Sequence, residues 1–248
     1  MELKHLTNYT RQILQADQFK DYCPNGLQVQ GRLHVNKLVT GVSASLALLE
    51  AAKDVGADAV LVHHGYFWKN EDACLVGVKH KRIKFLMEND MSLLAYHLPL
   101  YAHPELGNNA QLARVLEINA EPSLTNQGLV ATGSLNAPQT LDQFSRLIES
   151  KLKRAPLVIG DLNRPIQNVA WCTGAAQGYI EEAIALGVDL FISGEISEQT
   201  VHLSRESGVA YIAAGHHATE RYGVKALGEH LSSHFELDHE FIDIDNPV

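Results

Sequence analysis

The chain has 248 residues, 46% of them apolar, and a formal net charge of −9 from 20 basic and 29 acidic side chains. That length allows one large α/β domain or two small ones with a sizeable core, and an acidic balance without a basic patch argues against nucleic acid as the main partner. No apolar run approaches the ~18–20 residues of a membrane helix, Met1-Glu2-Leu3-Lys4-His5 does not read as a signal peptide, and Cys23, Cys74 and Cys172 are too scattered for a CxxC or a disulfide frame, so a reducing cytoplasm is expected.

Residues 2–16 pattern as an amphipathic helix. Lys37–Gly41 then reads as a strand, followed by a helix through Leu48, Leu49 and Ala52 with Gly56 as its C-cap, since glycine enters the left-handed region cheaply. The apolar run Ala59-Val60-Leu61-Val62 is a buried parallel strand that ends at His63-His64. After a loop, a helix is expected near Lys79–Asn89. Its basic start, Lys79-His80-Lys81-Arg82-Ile83-Lys84, is either a solvated face or an attraction for a phosphorylated small molecule. Strand Leu93–Tyr96 ends at His97, and Pro99 and Pro104 stiffen the loop that carries Tyr101 and His103. Asn108 and Asn109 cap a further helix start. Glu121–Gly128, with Pro122, Asn126 and Gly128, marks the boundary between a lobe of residues 1–125 and a lobe of residues 126–248.

In the second half, Thr140-Leu141-Asp142-Gln143 is a capping box that opens a helix to about Lys153. Val169–Gly174 is a strand, a helix runs through Ile180 and Ala183 to Gly187, and strand Leu190–Ser193 ends at Gly194-Glu195. A helix over Ser197–Ser207 leads to the strand before Gly215, where His216-His217 turns into a helix bearing Glu220. The two halves repeat. Ala52, Gly56 and Asp58 match Ala183, Gly187 and Asp189 at one constant offset, and His64 then matches Glu195. Each half contributes two strand ends, and all four carry a histidine or a carboxylate, where α/β proteins place their ligand sites.

Those side chains suit a divalent metal. At the last residue of a strand both imidazoles of His63-His64 can turn to the same side, and two ions ~3.5–4 Å apart are the usual arrangement of two-metal hydrolytic sites. His216 and Glu220, at i and i+4, share one helix face, a good imidazole–carboxylate pair for a cation. His217 points elsewhere and suits orienting a ligand. His97 is a ligand or a general base, Glu195 a proton carrier and His103 structural. Read singly, each motif is also compatible with ordinary packing; the four strand ends together favour a shared site over a coincidence between two generic βαβ units.

Asn25-Gly26-Leu27-Gln28-Val29, Val62-His63-His64-Gly65, His97-Leu98-Pro99-Leu100, Gly107-Asn108-Asn109, Ser193-Gly194-Glu195 and Gly215-His216-His217-Ala218-Thr219-Glu220 occur in this order across nearly the whole chain. By them the chain resembles the GTP cyclohydrolase I type 2 homologues, also called the NGG-one interacting factor three-like proteins. The resemblance implies an α/β fold of two similar, interlinked lobes with mainly parallel sheets. It also implies a toroidal homohexamer and a strand-end site between the lobes for two divalent ions (Zn, Mn, Fe, Co or Ni). The metal-ligand roles fall on His63, His64, His216 and Glu220. The family's next metal-holding position is an aspartate where this chain has Tyr101. A phenol with pKa ~10 is a poor ligand at neutral pH, so one metal position is expected to fill weakly, with water or His97 in the gap. Two divalent ions against the one carboxylate of Glu220 leave surplus positive charge, which favours an anionic ligand such as phosphate. The expected activity is metal-dependent hydrolysis of a nucleotide-like or phosphorylated heterocycle, with a non-catalytic metal-binding ring or protein scaffold as the alternative.

Overall fold

The structure, a computed structural model, describes residues 1–121 and 129–248. Its elements in chain order are α1 (Leu3–Ile13), β1 (Gly26–Val29), β2 (Lys37–Ser43), α2 (Leu46–Asp54), β3 (Ala59–His64), α3 (Gly77–Glu88), β4 (Ser92–Ala95), α4 (Leu98–Ala102), α5 (Asn108–Val115) and β5 (Ile118–Ala120). There follow β6 (Ala131–Thr140), α6 (Leu141–Leu152), β7 (Leu157–Ile159), β8 (Pro165–Cys172), α7 (Ile180–Leu186), β9 (Leu190–Ser193), α8 (Glu198–Ser207), β10 (Ala210–Ala213), α9 (His216–Phe235) and β11 (Asp238–Phe241).

The chain divides into two α/β units, one of Met1–Gly107 with Gly223–Asp245 and one of Asn108–Tyr222 with Asn246–Val248. The sequence suggests one cut, at 125/126; the chain crosses between these units at 107/108, at 222/223 within α9 and at 245/246. Gly223–Asp245 belong with the first unit because β11 adds in parallel to β2, pairing Asp238 with Lys37 and Phe241 with Thr40. The expected boundary residues beyond Glu121 lie outside the described residues.

In the first unit the sheet order is β1-β4-β3-β2-β11, parallel throughout except for β1. The central strands β2, β3 and β4 are buried along nearly their whole length, as their continuous apolar runs require. Ala59 and Leu61 pack with α1 and α9 residues such as Leu6 and Leu227, while Val60 and Val62 pack with Leu48, Leu49 and Leu86 of α2 and α3. The second unit has the order β5-β6-β8-β9-β10-β7, in which the parallel trio β8-β9-β10 is flanked by antiparallel strands. Only the helix-connected stretch of this half needs parallel pairing, so antiparallel partners are confined to the flanks. The capping box forms as expected: the Thr140 hydroxyl accepts from the Gln143 amide, and the Gln143 side chain accepts from the Thr140 amide.

The internal repeat extends to hydrogen bonding. Asp58 Oδ2 accepts from the amides of Asn36 and Lys37 at 2.7 and 3.0 Å. Asp189 Oδ2 accepts from Gln167 and Asn168 at 3.0 and 2.9 Å. In each unit an aspartate that directly precedes the second strand of the repeat accepts from two consecutive amides at or within the first. Asp58, with 8% side-chain exposure against 30% for Asp189, also pairs with Arg32 at 2.7 Å. Asp58→Ala is expected to cost about 2–4 kcal/mol and Asp189→Ala about half of that, because two amides lose a charged acceptor in each case and the Asp58 carboxylate is the better shielded from water. Denaturant midpoints of the two variants check this, and the reverse order would refute the assignment.

Candidate metal-binding clusters

In the first unit, β3 and β4 are parallel neighbours paired through Val62 and Ala95. Their carboxyl ends therefore set His63 and His64 beside His97. One ligating atom from each of the three imidazoles lies within 4.8 Å of the other two. His63 is wholly buried, and its Nδ1 donates to the Tyr96 carbonyl at 3.0 Å. That bond leaves Nε2 as the nitrogen able to bind a cation. His64 Nδ1 lies 3.0 Å from the Ser43 hydroxyl. The ring of Tyr101 lies 4.8 Å from that of His63 and 5.3 Å from that of His97.

His97 is held by a residue the sequence did not reveal. Asp21 Oδ1 is 2.8 Å from His97 Nδ1, while Oδ2 accepts from the Leu98 amide at 2.8 Å and from Asn25 Nδ2 at 2.9 Å. Asn25 Oδ1 in turn accepts from the His97 amide at 2.7 Å. Burial pushes the Asp21 carboxyl up, but the hydrogen bonds from His97, Asn25 and Leu98, with the His97 charge, outweigh it and hold the group at about 2. A carboxylate behind an imidazole fixes its tautomer and its ring orientation. Asp21 stands 76 residues from His97 in an irregular loop, so no spacing pattern could have linked them. His103 is structural, as expected: its Nδ1 accepts from the Glu105 and Leu106 amides at 3.2 and 3.0 Å.

In the second unit, β9 and β10 are parallel neighbours paired through Ser193 and Ala213, and this brings Glu195 beside His216 at the start of α9. Glu195 Oε1 is 2.7 Å from His216 Nδ1, and Glu220 Oε2 is 3.1 Å from Nε2. Glu220 is fully buried. Burial lowers the affinity of His216 for a proton, yet Glu220 first and Glu195 second outweigh it and raise the pKa to about 9. A cation in the same place would replace that proton. The geometry depends on two glycines. Gly215 has φ +103°, and a Cβ on Gly194 would lie 2.7 Å from both the Gly174 carbonyl oxygen and His216 Cα. Thr219 fastens the turn, accepting from the Gly174 amide at 3.1 Å and donating to the His216 carbonyl at 2.9 Å.

The structure thus brings His63, His64 and His97 together with Tyr101 in one unit, and Glu195, His216 and Glu220 together in the other. Glu195 stands behind His216 as Asp21 stands behind His97. The donors are imidazole nitrogens and carboxylate oxygens, and several are already oriented by a bond to the far side of the ring. This set fits a borderline divalent cation.

Comparison with known proteins agrees over the whole length. The sequence model of the family described as Duf34/NIF3 (NGG1p interacting factor 3) matches residues 1–247. A protein of Pseudomonas aeruginosa named GTP cyclohydrolase 1 type 2 homolog is 54% identical over 249 residues, spanning 99% of this chain and 98% of that protein. The solved structure of the protein ybgI, described as of unknown function, superposes with a TM-score of 0.97 at 50% identity and covers 100% of both chains. TTHA1606 from Thermus thermophilus superposes with a TM-score of 0.91 at 32% identity, again over 100% of both.

Proposed function

Because the chain belongs to the Duf34/NIF3 family, we propose that it holds two divalent metal ions and uses them to hydrolyse a phosphorylated or nucleotide-like heterocycle. His63, His64, His216 and Glu220 are the proposed ligands, with His97 or Tyr101 completing the first position. The observation that carries the reading is the convergence of the His63, His64 and His97 ligating atoms within 4.8 Å. Divalent ions held there would supply Lewis acidity and make a water acidic enough to ionise near neutral pH.

The protein's own groups do the rest. His63 and His216 present fixed nitrogens, because the Tyr96 carbonyl and Glu195 hold their opposite edges. His97, oriented by Asp21, takes up or returns a proton, and Glu195 can do the same through His216. The heterocycle is suggested by the name of the Pseudomonas aeruginosa relative, and the anionic group by the surplus positive charge of two divalent ions beside the Glu220 carboxylate. A toroidal homohexamer in the cytoplasm belongs to the same proposal. No helix among the described residues is long and apolar enough to cross a membrane, and all three cysteines are free.

A second reading, a metal-holding ring without turnover, is favoured by one observation: both proton-carrying candidates, His97 and Glu195, are already committed to hydrogen bonds with Asp21 and His216. Elemental analysis of untagged protein purified without chelators, joined to a nucleotide-hydrolysis panel, separates the two. Turnover that disappears in His63→Ala with folding intact supports the enzyme. Reversible metal exchange without turnover supports the ring, and protein that takes up no divalent metal defeats both. Tyr101→Asp is expected to raise occupancy of one position; equal metal counts in native protein and variant would end that idea.

A further inference from the structure

The loop after His64 is built at a conformational cost around one aromatic side chain. Phe67 and Asn70 both adopt left-handed backbone, at φ 65° and 72°, which for a residue as bulky as Phe67 is rare and tends to mark ligand-handling sites. Trp68 lies between them and is fastened. Its amide donates to Glu71 Oε2 at 3.0 Å, its carbonyl accepts from the Glu71 amide at 2.9 Å, and its indole N–H donates to the Gly65 carbonyl at 3.2 Å. The flanking chain is tied as well. Gln28 accepts from the Tyr66 amide at 2.7 Å and donates to its carbonyl at 3.0 Å, the Lys69 amide donates to the Tyr22 carbonyl at 2.6 Å, and the Lys79 ammonium sits 5.1 Å over the Phe67 ring.

This fastening sets the indole against the histidines. Its centroid is 5.0 Å from that of His97, edge to face, and 6.0 Å from that of His64. Trp68 nevertheless remains only half-buried. The other tryptophan shows what a packing role looks like: Trp171 is wholly buried with its N–H bonded to the Asn109 carbonyl.

We propose that Trp68 is a specificity-determining platform on which the flat ring of a phosphate-bearing heterocycle stacks beside His64 and His97. The proposal rests on the metal-centre reading above and adds to it what selects the ligand. With its N–H spent on Gly65, the indole offers a ligand only its apolar face. A held π face accepts planar rings in general and gives nothing to an aliphatic phosphate. Because the loop is already ordered, little rotamer entropy is lost when the ring docks.

The test uses the full-length, metal-loaded protein with guanosine monophosphate and ribose 5-phosphate as probes, measured by calorimetry. Guanosine monophosphate is expected to bind about tenfold or more tightly than ribose 5-phosphate, since a stacked base is commonly worth at least that factor. Trp68→Ala should bring the two ligands to the same affinity, and Trp68→Phe should retain most of the difference. In a Trp171→Phe background, where Trp68 is the sole indole, the nucleotide should quench emission and the sugar phosphate should not. Melting temperatures show whether each variant folds, and the native chain alone carries the calorimetric comparison if one does not. Equal binding of the two ligands by native protein, or unchanged nucleotide affinity in folded Trp68→Ala, overturns the platform and leaves the metal centre standing. Failure of both ligands to bind metal-loaded protein overturns the platform together with the anionic-substrate reading.

Discussion

Glu220→Ala is expected to lower divalent-metal affinity by more than about 100-fold, since a residue that merely orients a ligand is already worth 10–100-fold. Glu220 is placed to do more than orient: its carboxylate is fully buried and lies 3.1 Å from the outer nitrogen of His216. The metal-free variant should also be less stable by about 3 kcal/mol. Breaking a buried pair removes one partner of His216, and the remaining bond to Glu195 together with the 25% exposure of the His216 side chain keeps the cost at the lower end of the usual range. Glu220→Gln keeps the volume and removes the charge, so it should lose metal almost as completely while recovering part of the stability. Competition against a chromophoric chelator reads the affinity, and denaturant titration reads the stability. Glu198→Ala, an exposed change on α8, is the control expected to alter neither. Native-like metal uptake by folded Glu220→Ala would remove this residue from the ligand set.

Gly194→Ala should damage the same cluster without touching a ligand. The added methyl would meet the Gly174 carbonyl oxygen and His216 Cα at 2.7 Å and the His216 amide nitrogen at 2.9 Å. All three are backbone atoms and cannot rotate away. The main chain is further pinned there, because the Gly194 amide donates to the Gly174 carbonyl and the Gly194 carbonyl accepts from the Gly215 amide, both at 2.9 Å. The overlap can be relieved only by moving the start of α9 away from β9, which is expected to cost about 2–3 kcal/mol and to carry His216 off Glu195. Reduced metal affinity should therefore accompany a lower melting temperature. Gly178→Ala, whose Cβ would meet nothing within 4 Å, is the matched control. A Gly194→Ala protein that melts and binds metal like the native chain would show that this crowding does not set the position of His216.

The strand ends at His64, His97 and Glu195 could be read from the chain because a buried parallel strand is a continuous apolar run, and a polar residue that stops it is conspicuous. His216 with Glu220 was legible for a similar reason, since helical spacing is local. Asp21 was not: it lies in an irregular loop and reaches His97 only through the pairing of β1 with β4. Trp68 was equally silent, being one aromatic residue in a loop with no period. The return of the chain to the first unit was silent in the sequence, because parallel addition of β11 to β2 joins segments about 200 positions apart and leaves no local trace.

Composition, apolar runs, glycine caps and the doubled strand–helix–strand pattern were enough, without coordinates, to establish an α/β chain with histidines and carboxylates at its strand ends. Those features depend on forces acting over a few residues: burial, helical and strand periodicity, and the freedom of glycine. The carboxylates behind His97 and His216, the nitrogen left to face a cation and the half-buried indole beside His97 were decided only by the tertiary structure. Each is a contact between residues far apart in the chain, and it exists because sheet register, not sequence spacing, brings those atoms within reach.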